Sequence, residues 1–80
     1  MTKFQVWYSE KYRFSIKFYE TLDYLAQSGV MADYLSTRGA LLAIIPSGRY
    51  FLHAPWLQGI IATDYHSALI EAIGIIDKGE

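Results

Sequence analysis

The chain contains no cysteine. This absence excludes disulfide bonds, thiolate metal sites and cysteine nucleophiles together, so packing alone must stabilise the fold. Small secreted domains usually need disulfides, whereas proteins of the reducing cytoplasm do not. We therefore expect a cytoplasmic protein.

Long apolar runs are also missing. The longest run, ALLAII at residues 40–45, stops at Pro46 and is far shorter than the roughly 18 residues of a membrane span. Met1-Thr2-Lys3 leads directly into an alternating pattern, not into the apolar stretch of a signal peptide. The sequence predicts neither a membrane segment nor a signal peptide.

Charged residues are scarce, at 19% of the chain with a net charge of −1. They are unevenly distributed. Basic residues dominate the first part of the chain (Lys3, Lys11, Arg13, Lys17), and acidic residues dominate the last (Asp64, Glu71, Asp77, Glu80). This asymmetry predicts a basic N-terminal hairpin and an acidic C-terminal helix.

Apolar and aromatic residues are abundant, at 52% and 16% of 80 residues. A chain of this length predicts a single domain, residues 1–80, which buries only about 60–65% of the surface exposed when it is unfolded. The apolar content exceeds what one such core can bury. We therefore expect a homodimer or a complex with a protein partner.

Two segments near the N-terminus alternate with a period of two. FQVWYS at 4–9 and YRFSIKFY at 12–19, linked by Glu10-Lys11, predict a β-hairpin. One face would turn towards the core (Phe4, Val6, Tyr8, Phe14, Ile16, Phe18), and the other would carry Gln5, Trp7, Ser9, Arg13, Ser15, Lys17 and Tyr19. The link lacks Asn-Gly or Asp-Gly, so the register stays open.

Residues 21–37 change to helical spacing, with Thr21 as a candidate N-cap. Two interpretations remain. Gly29 ends a first helix and Ser28 caps a second over about 31–37, or one helix continues to Gly39 despite an interior glycine. We favour two helices.

A second hairpin is predicted by ALLAII, the turn PSGR and the return strand YFLHAP. Residues 40–45 do not alternate, which indicates a strand covered on both faces or covered by another subunit. The segment WLQGIIAT that follows is either a short fifth strand around 59–62 or an apolar loop.

The segment TDYHSALIEAIGIIDKG predicts an amphipathic helix capped by Thr63 or Asp64. The expected order is therefore ββαββα. It describes an α+β domain with an antiparallel sheet of four to five strands, built from two hairpins, and helices packed on one face.

No constellation of residues indicates catalysis or metal binding. Asp64 and His66 are two residues apart at a helix start, so their side chains diverge, and His53 ends a strand. The chain contains neither a nucleophile elbow nor a glycine-rich phosphate loop. We predict a protein that is not an enzyme and that has no catalytic residues, metal or cofactor.

The outer face of the first predicted hairpin combines aromatic rings with cations, a combination typical of protein interfaces and of base-stacking surfaces. An ordinary polar sheet face is the alternative. Few cations and an acidic last helix disfavour a polyanion. We therefore predict a binding protein that docks on a protein partner, with nucleic-acid or nucleotide binding as a second possibility. The predicted partner-binding residues are Trp7, Arg13, Lys17, Tyr19 and Trp56.

Two resemblances extend this prediction. In its profile, short, free of cysteine and free of motifs, the chain resembles the stand-alone inhibitors and adaptors that phages and mobile elements encode. The ending APWLQGIIATDYHSALIEAIGII resembles the strand and following helix of HicB-type antitoxins. The second resemblance implies an antitoxin module as an alternative function.

Overall fold

Four helices and three short strands follow one another along residues 1–55 and 57–79, the part of the chain that the computed structural model describes. Together they form a small α+β fold. The elements are α1 (Lys3–Tyr12), α2 (Ile16–Glu20), α3 (Tyr24–Thr37), β1 (Leu41–Ile44), β2 (Tyr50–Ala54), β3 (Leu57–Ile60) and α4 (Tyr65–Gly79).

The N-terminal hairpin prediction is wrong, because residues 3–12 and 16–20 are helical. A capping box starts α1. The Thr2 hydroxyl accepts the N–H of Gln5 at 3.1 Å, and the Gln5 side chain accepts the N–H of Thr2 at 3.0 Å. Phe4 and Tyr8, which alternate as in a strand, are also four residues apart, and both are buried on one side of α1. The spacing of the apolar residues in this segment fits both a strand and a helix, and the capping box favours the helix.

Residues 24–37 form one continuous helix, so the preference for two helices is wrong and the single-helix alternative is correct. Asp23, not Thr21, caps it by accepting the N–H of Ala26 at 2.8 Å. Ser28 lies inside the helix and caps nothing. The chain leaves the helix at Gly39, whose φ of 70° suits a residue without Cβ.

The second hairpin prediction is confirmed. β1 and β2 pair antiparallel with Leu42 opposite Leu52, and the turn closes with Ile45 donating to Arg49 and Gly48 donating to Ile45. β3 pairs with β2 and begins slightly earlier than the short strand expected around 59–62. The sheet therefore has the order β1-β2-β3 in the described residues, in place of the predicted four to five strands and ββαββα order.

The amphipathic C-terminal helix is also confirmed. Asp64 caps it, accepting the N–H of Ser67 at 2.9 Å, and this hydrogen bond lowers the pKa of the Asp64 carboxyl. The buried stripe of α4 faces the sheet and the other helices (Ala68, Leu69, Ala72, Ile73, Ile76). Across the described residues, no helix combines the length and apolarity needed to cross a bilayer.

Candidate functional site

The junction between α1 and α2 forms a sharp corner. Arg13 ends α1 with a φ of 61°, in the left-handed region, and its N–H donates to the carbonyl of Ser9 at 3.0 Å. Glycine or asparagine is the usual residue in this conformation. Ser15 precedes α2 in an extended conformation, so the chain turns within residues 13–15.

Two phenylalanine rings stand exposed at this corner. Phe14 and Phe18 have ring centroids 4.6 Å apart, and their side chains are 51% and 45% exposed. The inner side of α2 is formed instead by Ile16 and Tyr19, which pack against the core. The predicted core position of Phe14 and Phe18 is therefore wrong, as is the outward position of Tyr19.

Two cations flank the rings. Arg13 and Lys17 are exposed, and neither forms an ion pair with the residues described. Lys11 differs, because its ammonium lies 2.8 Å from Asp33. The hydrogen bond between them raises the pKa of Lys11 and lowers the pKa of Asp33. We call Arg13, Phe14, Lys17 and Phe18 the aromatic–basic corner.

The predicted binding residues Trp7 and Tyr19 lie behind this corner, in a cluster of aromatic rings around Phe4. The Phe4 centroid is 6.0 Å from that of Trp7 and 5.3 Å from that of Tyr19. Tyr34, which is fully buried, lies 5.1 Å from Trp7. Both predicted residues are therefore partly buried packing groups, whereas Arg13 and Lys17 reach solvent.

Trp7 keeps some exposure along a cleft of about 420 Å³, whose walls include Val6, Glu10 and Arg38. Trp56, the fifth predicted binding residue, lies outside the described residues. The structure thus brings Arg13 and Lys17 to the α1–α2 junction and places Trp7 and Tyr19 among the supporting rings.

Asp77 of α4 fixes the other end of α1. One carboxylate oxygen accepts the N–H of Phe4 at 3.1 Å, and the other accepts the hydroxyl of Tyr34. Arg38 donates to the same hydroxyl at 3.1 Å. Burial, with the bond to Asp77, raises the pKa of Tyr34 to about 12. This junction joins α1, α3 and α4 and so holds the aromatic cluster in place.

The remaining polar pair joins α3 and α4. The hydroxyl of Ser28 and Nδ1 of His66 are 3.0 Å apart, and the ring of Tyr24 lies 4.4 Å from that of His66. These contacts leave His66 half-buried. No group of three or more potential metal ligands converges among the residues described.

Sequence reasoning missed the exposed rings of Phe14 and Phe18. The available signal was the pattern Thr2-x-x-Gln5, which starts the preceding helix. Comparisons with protein families, with curated proteins and with solved structures found no match to this chain.

Proposed function

We propose that the protein is a small non-enzymatic binding protein, an inhibitor or adaptor, that docks its aromatic–basic corner on a protein partner. The observation that carries this proposal is the exposed pair Phe14 and Phe18, whose ring centroids are 4.6 Å apart, between two exposed cations.

The two rings supply the apolar part of the interaction. Fully burying one phenylalanine side chain contributes roughly 1.5–3 kcal/mol, and each ring of the pair still has about half of its surface available. Aromatic anchors that fill a pocket dominate the binding energy of many interfaces. The two rings already contact each other, so little side-chain freedom is lost on docking.

The two cations define the chemistry of the partner. Arg13 and Lys17 flank the rings and have no ion-pair partner among the described residues. They would meet carboxylates around an apolar pocket, which fixes the orientation of the complex and accelerates association. The partner surface is therefore an apolar pocket with an acidic rim.

The same charges argue for a protein rather than a nucleic acid. Lys11, the third cation near the corner, is paired with Asp33. Two cations neutralise few phosphates, and binding to a polyanion depends on how many phosphates are neutralised. The rings of Phe14 and Phe18 also contact each other at an interplanar angle of 32°, which covers part of the surface on which bases would stack.

A pull-down with matched variants tests the proposal. The wild-type chain, the double variant Phe14→Ser/Phe18→Ser and the control Tyr24→Ser/Leu25→Ser are immobilised and exposed to nuclease-treated lysate of the source cells. Tyr24 and Leu25 are at least as exposed as the corner rings but lie on α3. Bound proteins are quantified by mass spectrometry.

We expect one protein to be retained by the wild type and the control and to be lost from the corner variant by at least tenfold. Adding Arg13→Gln/Lys17→Gln to the wild type should weaken retention of the same protein. Equal retention by all variants, or retention seen only in parallel lysate without nuclease, would contradict the proposal.

A further inference from the structure

One edge of the sheet is unprotected. β1 forms an edge of the sheet in the described residues, and residues 39–48 contain no charged side chain. The opposite edge strand, β3, contains Gly59, which weakens strand pairing, whereas β1 contains no glycine. Proteins usually protect exposed edges with charges, proline or bulges. Residues Leu41–Ile44 of β1 contain neither a charged residue nor a proline.

The turn after β1 shows which backbone groups point outward. Ile45 donates its N–H to the carbonyl of Arg49, towards β2, at 2.9 Å. Backbone groups of successive residues in an antiparallel strand point to opposite sides, so Leu41 and Ala43 also bond to β2. The N–H and C=O groups of Leu42 and Ile44 therefore point to the open edge.

The same edge carries an apolar side chain and an apolar cleft. Ile44 lies opposite Tyr50, on the side of the sheet that faces the helices, yet it is 67% exposed. A cleft of about 230 Å³ lies beside Leu42, with Ala32, Leu35 and Leu69 among its lining residues. Each copy of the chain thus has an exposed isoleucine, Ile44, and an apolar cleft that would accept an isoleucine side chain.

We propose that a second copy of this chain pairs with β1, antiparallel and about a two-fold axis, with Ala43 facing Ala43. Opposite residues of an antiparallel pair have side chains on the same face, so a two-fold register must be centred on one residue. Centring on Ala43 places Leu42 opposite Ile44 of the second copy. Centring on Leu42 would instead place Ile44 opposite Ala40, whose N–H already bonds to Leu35.

The Ala43 register uses every outward-pointing group. Leu42 and Ile44 each exchange both backbone hydrogen bonds with the opposite residue, and the two strands join into one continuous sheet. Ile44 of the second copy then lies next to Leu42, on the side of the cleft. The arrangement fills both clefts because each copy supplies one isoleucine.

Charge also suits a second copy. The nearest charged residues on either side of the uncharged segment are Arg38 and Arg49. In the Ala43 register, Arg38 lies level with position 48 and Arg49 with position 37, so neither arginine meets its own copy. The paired strands therefore bring no charges together, and Arg38 of one copy approaches Arg49 of the other only beyond the strand ends.

Single cysteines test the register, because the chain has no other cysteine. In Ala43→Cys the two Cα atoms would be about 4.5 Å apart across the axis, within the range of a disulfide. The control Ile44→Cys is more exposed, yet its two Cα atoms would lie about 8 Å apart, beyond that range. The purified full-length variants are oxidised mildly and compared on non-reducing gels.

We expect a covalent dimer from Ala43→Cys and at least a tenfold lower yield from Ile44→Cys. Sedimentation velocity of the unmodified chain should show twice the monomer mass, shifting to monomer on dilution. A monomer at millimolar concentration, or equal disulfide yields from the two variants, would overturn the proposal. Neither result bears on the aromatic–basic corner, which lies on other elements and uses none of these residues.

Discussion

Arg13 has a conformation that its side chain does not favour. Its φ of 61° is common for glycine and costs other residues roughly 1–2 kcal/mol. Its side chain is exposed and forms no hydrogen bond or ion pair with the described residues. The structure therefore gives an arginine at this position no stabilising role, and the proposed partner binding would supply one.

Replacing Arg13 by glycine separates stability from binding. Arg13→Gly should raise the free energy of unfolding by about 0.5–1 kcal/mol, because the left-handed conformation is then relaxed. It should also weaken partner binding, because the cation is lost. Urea denaturation and the pull-down described above measure the two effects. Lys17→Gln, the control, should weaken binding without stabilising the fold, and a stability loss in Arg13→Gly would refute this account of the corner.

Tyr34 makes the stability of the fold sensitive to alkali. Its pKa is raised to about 12 by burial and by the bond to Asp77, from an ordinary value of 10.0. Above pH 10 the unfolded chain releases this proton more readily than the folded chain, so unfolding becomes more favourable. The stabilisation is complete below pH 10 and is lost as the pH rises to about 12.

Denaturation midpoints between pH 8 and 12 check this prediction. The wild type should lose stability steadily above pH 10, and Tyr34→Phe should lose less over the same range. Part of the loss should remain in the variant, because burial also raises the pKa of Tyr19. Identical pH profiles for the two proteins would show that Tyr34 does not control the alkaline transition.

At the scale of elements, the sequence predicted correctly those segments whose apolar pattern fits only one type of secondary structure. β1 and β2 are separated by a Pro-Ser-Gly turn, and α4 has an acidic cap with a clear apolar stripe. Both predictions are confirmed because no competing period exists there. The N-terminal segment is different, since Phe4 and Tyr8 satisfy both periods and the choice depends on a cap and on tertiary packing.

That one error changed the predicted site. As strands, residues 12–19 would have hidden Phe14 and Phe18 and exposed Tyr19. As a helix end, a turn and a second helix, they do the reverse. The sequence correctly predicted that Arg13 and Lys17 are exposed. It could not predict which aromatic residues accompany them, because that depends on whether the segment is a strand or a helix. The secondary structure of the segment therefore determines which rings face the core and which face solvent.

Alanine substitutions distinguish the two architectures. Phe4→Ala should cost about 3–5 kcal/mol of unfolding free energy, because Phe4 is buried at the centre of the aromatic cluster. Phe14→Ala and Phe18→Ala should each cost less than about 1 kcal/mol, because their rings are about half exposed. The hairpin prediction implies instead that Phe14→Ala unfolds the domain. Thermal melts of the three variants decide between them.

At the scale of the whole molecule, the contact between α4 and the start of α1 lies at a distance from the corner. Asp77 of α4 accepts from Phe4 at the start of α1, and the corner follows the end of the same helix. Ten residues of helix separate the two by about 15 Å. Asp77 of the C-terminal helix is thus far from Arg13 and Lys17.

The most direct test of the central claim is site-specific photo-crosslinking in the source cells. Benzoylphenylalanine is placed at Phe18, inside the corner, or at Tyr24, an aromatic residue that is 75% exposed outside it. The corner account predicts one discrete, nuclease-resistant protein adduct at position 18, its loss when Arg13 and Lys17 are both changed to glutamine, and no such adduct at position 24. The same adduct at both positions, or an adduct at position 18 that nuclease removes, would contradict it.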